Sequence, residues 1–84
     1  MPEQTVKLTN DVGLHARPAA VFSKASAEFT CDVKVEKDGN DANAKSIMSV
    51  LKLDVKGGDT VTLRTSGENE DVALTELVKV VESL

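Results

Sequence analysis

Apolar and polar residues alternate along residues 5–9, 32–37 and 60–65, and a two-residue period marks a strand with one buried face and one wet face. The pattern points Val6, Leu8, Val33, Val35, Val61 and Leu63 inward. Two further stretches repeat at helical spacing. From Ala16 to about Phe29, the residues Ala19, Phe22, Ala25, Ser26 and Phe29 share one side, and Ala20, Lys24, Ala27 and Glu28 fall largely elsewhere. Towards the end of the chain Ala73 or Leu74, Leu77, Val78, Val81 and Leu84 line a second stripe, with Glu76, Lys79 and Glu82 opposite. Lys79 is about one turn from both glutamates, close enough for a weak surface pair with either.

The remaining segments read as connections and one short helix. Asp38-Gly39-Asn40 is a strong hairpin signal between flanking strands. The strand after it, residues 41–44, is short and polar, as suits a sheet edge that resists pairing with other molecules. Ser46 fits the cap of a short helix carrying Ile47, Met48, Val50 and Leu51, its hydroxyl accepting from a first-turn N–H. Residues 10–13 form a loop whose Gly13 is free to adopt a backbone shape closed to other residues. Residues 54–59 form a turn region, and Asp54 tolerates a left-handed conformation better than most residues though less well than glycine. Residues 66–70 break the last strand, and their acidic members suit the entrance to a helix. The order strand, helix, strand, strand, helix, strand, helix gives an α+β domain.

Candidate chemistry concentrates where the only histidine meets the start of the first helix, Gly13-Leu14-His15-Ala16-Arg17-Pro18-Ala19-Ala20. Pro18 suits a first turn, because it presets φ and lacks the N–H that such a turn leaves unpaired. His15 therefore lies within about one turn of unpaired backbone N–H groups that favour an anion. Arg17 adds a planar fork of donors matched to phosphate oxygens. Neighbouring positive charge disfavours imidazolium, so a His15 pKa below the ordinary ~6.5 is expected. A neutral ring keeps a nucleophilic lone pair, and the same donors would stabilise a phosphoryl group once it is attached.

Composition narrows the options. With 84 residues the chain is read as a single domain over 1–84. Net charge is −4, and the aromatic residues are two Phe without Trp or Tyr. That combination supplies neither the stacking platforms nor the cationic groove of a nucleic-acid binder. Cys31 is the only cysteine, which excludes an internal disulfide and, with a single histidine, a structural zinc site. It is best read as a small, partly buried residue beside a strand. No apolar run approaches bilayer length and the first residues lack a signal-peptide pattern, so a cytoplasmic protein that does not insert into membranes is expected.

The segment Gly13-Leu14-His15-Ala16-Arg17-Pro18-Ala19 closely resembles the active-site signature of HPr, the histidine phosphocarrier family of the bacterial phosphoenolpyruvate-dependent sugar phosphotransferase system. A second block, Ala44-Lys45-Ser46-Ile47-Met48-Ser49-Val50-Leu51, looks like that family's regulatory-serine segment at the same separation from the histidine. The resemblance covers nearly the whole chain and departs at Asp54, where the family commonly has glycine. It implies an open-faced two-layer α/β sandwich, βαββαβα, with a four-stranded, mainly antiparallel sheet and three helices on one face. It further implies that His15, through Nδ1, accepts a phosphoryl group from phospho-enzyme I and donates it to enzyme IIA components for sugar uptake. Arg17 and the backbone N–H groups of Ala16 and Arg17 would hold the phosphate oxygens, with no cofactor, no metal and no independent turnover.

Ser46 is, by the same resemblance, a site of regulatory phosphorylation, which would bring in a dedicated kinase/phosphorylase and a catabolite-control transcription factor. Phosphate there would act through charge and surface contacts. Ile47, Met48 and Leu51 are candidates for partner docking, Met48 above all, since a flexible thioether adapts to several surfaces. Lys24, Lys45, Lys52 and Lys56, with Arg17, would ring them with positive charge and speed encounter with acidic partners. A monomer is expected. The alternatives are a regulatory interaction module governed by Ser46, and a nitrogen-branch paralogue that uses the same chemistry to signal.

Overall fold

The computed structural model describes residues 2–8, 13, 14 and 16–84, with the backbone alone at Ala16. Its elements run β1 (Glu3–Lys7), α1 (Ala16–Ala27), β2 (Asp32–Lys37), β3 (Asn40–Asn43), α2 (Ile47–Lys52), β4 (Thr60–Ser66) and α3 (Glu70–Glu82). The strands form one sheet in the order β1-β4-β2-β3, every neighbouring pair antiparallel. The βαββαβα order expected from the sequence is the order observed.

Register follows from the alternation. Val6 faces Val61 and Val35 faces Leu63, so all inward residues fall on one face, where they are buried with Val33, Ala42 and Thr65. Because the side-chain period is two, a one-residue slip would turn this whole set into solvent. Phe22 of α1 and Leu77 and Val81 of α3 are fully buried over that face, α3 packing on β1 and β4, and α1 lying between α3 and α2. The opposite face is polar, and the Arg64 guanidinium there pairs with the carboxylates of Glu36, Glu3 and Asp41.

Boundaries moved where a ladder, not hydrophobicity, decides them. β1 begins at Glu3, two residues earlier than the alternation suggests, because exposed Glu3 and Gln4 pair with Arg64 and Leu63. α1 ends at Ala27, and the chain then tightens through the bonds Glu28 N–H to Ala25 O and Phe29 N–H to Ser26 O, both 3.2 Å. β3 is an edge strand, as its polar sequence suggests. Asp38 and Gly39 have φ of 51° and 84°, the paired positive values that a tight hairpin requires. Lys79 pairs with Glu76 at 3.9 Å. No helix among the described residues is long and apolar enough to cross a membrane.

Candidate functional site

The segment leading to His15 is held from below by the turn between α2 and β4. Gly13 has φ of 64°, and a Cβ built there would lie 2.3 Å from the Val55 carbonyl oxygen and 2.5 Å from Lys56 backbone atoms. Real Cβ atoms do not approach that closely, so glycine is required twice over, for its conformation and for its lack of a side chain. The next residue, Leu14, is buried, and its N–H donates to the Val55 carbonyl at 3.0 Å. An apolar residue between a glycine and a histidine is the one sign of this anchoring in the sequence.

The same turn also grips the chain ahead of the loop. Leu8 N–H donates to the Asp59 carbonyl, and Gly58 N–H to the Leu8 carbonyl, both at 2.8 Å. Asp59 closes the turn on itself: its carboxylate accepts from Lys56 N–H at 2.9 Å and its N–H donates to the Lys56 carbonyl at 3.0 Å. The Lys56 N–H and then the Lys37 ammonium hold the Asp59 carboxyl below the usual carboxylate range. Asp54 adopts the left-handed conformation, φ 53°, that its position requires. Sequence reasoning left the 54–59 turn apart from the site; backbone contacts between segments distant in the chain carry no local signal, and they place it directly beneath residues 13 and 14.

His15 lies outside the described residues, as do residues 10–12 of the preceding loop and the expected His15 pKa. Ala16 opens α1, followed by exposed Arg17 and by Pro18 in the first turn. That turn contains no acidic residue, so its positive end is not offset from within the helix. Ser46 caps α2, its hydroxyl accepting from Ser49 N–H at 3.4 Å. Met48 is 64% exposed and Ile47 37%, whereas Val50 is buried and Leu51 partly so. Lys24, Lys52 and Lys56 are exposed. Lys45 is half-buried, its ammonium donating to the Phe29 carbonyl at 2.7 Å, beyond the end of α1. Val21, exposed on α1, is an apolar surface residue that the helical pattern did not single out. Cys31, expected to be partly buried beside a strand, precedes β2 and is buried, only 2% exposed.

The model of the PTS HPr component phosphorylation site matches residues 2–83. The chain belongs to the HPr family of the phosphotransferase system. It is 46% identical to the HPr-like protein Crh of Bacillus subtilis, over 98% of this chain and 96% of that protein. The crystal structure of HPr from Thermoanaerobacter tengcongensis superposes with a TM-score of 0.95 at 43% identity, covering 99% of this chain and 93% of that one. Crh of Bacillus subtilis, described as a catabolite repression protein in a domain-swapped dimer, superposes with a TM-score of 0.77 at 47% identity, covering 96% of this chain and 93% of that one. The open-faced sandwich is therefore the HPr fold, and the chain is an HPr-family phosphocarrier by descent.

Proposed function

We propose that this chain accepts a phosphoryl group on His15 from phospho-enzyme I and passes it to enzyme IIA components for sugar uptake. The supporting observation is the fixed approach to the histidine: Gly13 and Leu14 are seated on the Val55 carbonyl immediately before a helix whose first turn offers N–H groups and no carboxylate. On this reading the neutral imidazole attacks phosphorus as the bond to the donor's histidine breaks. Arg17 and the N–H groups of Ala16 and Arg17 balance the charge on the transferred oxygens. Exposed Met48 and Ile47 supply an apolar contact, and exposed Lys24 and Lys52 supply positive charge for acidic partners. The carrier works as a cytoplasmic monomer.

The test is incubation with phosphoenolpyruvate and enzyme I. An acid-labile, alkali-stable phosphate that disappears in His15→Ala is the expected result, and its absence from the wild type contradicts the reading. Sedimentation of the free chain as a dimer would contradict the monomer.

A second reading is favoured by the 46% identity to Crh and by the position of Ser46. Here phosphorylation of Ser46 controls docking to a regulatory partner, and the histidine chemistry is secondary. The two separate on whether Ser46→Ala abolishes regulation while leaving phosphoryl transfer through His15 intact.

A further inference from the structure

The turn beneath the site is tied to the sheet by one side chain. Lys37, the last residue of β2, donates from its ammonium to the Asp54 carbonyl at 2.8 Å and pairs with the Asp59 carboxylate at 3.0 Å. It thus spans both ends of the 54–59 turn. Its side chain is only 19% exposed and that of Asp59 33%, so the pair is partly sheltered from competing water. Between those ends lie the groups that hold the acceptor segment: the Val55 carbonyl under Gly13 and Leu14, and Gly58 and Asp59 around Leu8. Leu8 on one side, and Gly13 and Leu14 on the other, are therefore both held on a turn that Lys37 pins. The neighbouring charges are Asp38, Asp54 and Lys56.

We propose that Lys37, acting through Asp59 and the Asp54 carbonyl, is a positioning residue that sets the rate of phosphoryl transfer at His15 without touching the reacting atoms. The inference rests on the carrier reading given above. In-line transfer depends steeply on the placement of the attacking atom, and small displacements of its support are felt in rate. Without the ammonium, the turn keeps its internal bonds between Lys56 and Asp59 but loses its attachment to β2. Leu14 then rides on a platform held less firmly, by its backbone bonds to Leu8 and its run into β4.

The experiment compares wild type, Lys37→Met, Asp59→Asn, the double variant and Lys37→Arg, with two readouts. The first is native-state amide exchange at Leu14, whose N–H is bonded to Val55, against Ala73 of α3, whose N–H is bonded to the capping residue Asn69. The second is the single-turnover rate of phosphoryl uptake from phospho-enzyme I. In Lys37→Met, Leu14 is expected to exchange faster while Ala73 does not follow in proportion. The saturating transfer rate should fall on the order of tenfold with the half-saturating concentration little changed. Lys37→Arg should recover much of the rate, and the double variant should be no slower than the worse single one. Unchanged transfer in both single variants, or Leu14 and Ala73 accelerating together, would overturn the proposal. Failure of the wild type to take phosphate on His15 is a separate result that defeats the carrier reading before any variant is compared.

Discussion

Replacing Gly13 by alanine probes the platform under residues 13 and 14 most sharply, and the protein contains its own control. At Gly13 a methyl group meets two penalties. A left-handed conformation costs an L-residue roughly 1–2 kcal/mol. Forcing atoms into filled space costs typically about 1–3 kcal/mol more, and here the obstacle is backbone, the Val55 carbonyl at 2.3 Å and Lys56 Cα at 2.5 Å. At Gly39, φ is 84° but nothing lies within 4 Å of the same methyl group, so only the conformational penalty applies. Gly39→Ala should therefore cost roughly 1–2 kcal/mol and Gly13→Ala roughly 2–5 kcal/mol. Thermal melts of the two variants read the difference directly, since in a domain of this size about 1 kcal/mol moves the midpoint by about 4–8 °C. Equal midpoints for Gly13→Ala and Gly39→Ala would refute the idea that residues 13 and 14 are seated on the 54–59 turn.

Other consequences follow from individual contacts. Ser46→Ala removes the cap of the six-residue helix α2 and should cost ~1 kcal/mol, whereas Ser46→Asp, an equally good cap, should melt close to wild type. Because the Asp59 pKa is lowered on folding, its contribution to stability is present above the unfolded value of ~3.9 and is lost as pH falls through the folded value. Melting temperatures of wild type and Asp59→Asn should accordingly converge in acid. The Lys37 pKa is raised, chiefly by its hydrogen bond to Asp59, so its contribution is complete below ~10.4 and is lost as pH rises through the folded value. Wild type and Lys37→Met should converge in strong alkali, and a gap that persists there would contradict the pairing. Met48→Ala should leave the melting temperature within the small range of surface changes yet weaken binding to enzyme I or an enzyme IIA domain by about 1 kcal/mol or more, measured by calorimetry.

The parts of this molecule that were legible in the sequence are those in which a periodic pattern records a buried face. The Val33 and Val35 alternation gave β2 its exact limits, and the Leu77, Val78 and Val81 stripe gave α3 its packed side. Local chemistry was equally readable: Ser46 as a cap and Asp38-Gly39 as a hairpin turn. What did not show was long-range. Glu3 and Gln4 lie in β1 only because β4 offers them partners, and nothing polar in a sequence announces a ladder. Thr65 lies on the inward face two residues after Leu63, and its burial is satisfied by a hydroxyl that donates to the Glu70 carbonyl at 2.8 Å, five residues on. The seating of Gly13 against residues 55 and 56, and the reach of Lys37 across to Asp54 and Asp59, join segments whose nearness only the folded chain reveals.

The most direct test of the phosphoryl relay is a chase. The chain, phosphorylated by enzyme I and then separated from it, is mixed with an enzyme IIA domain and followed by rapid quench. If the account is right, phosphate leaves His15 and appears on the IIA domain in equal amount, far faster than it is lost to water, and Arg17→Ala slows the hand-over. Phosphate that stays on the chain until it hydrolyses, or that resides on a residue other than His15, would contradict it.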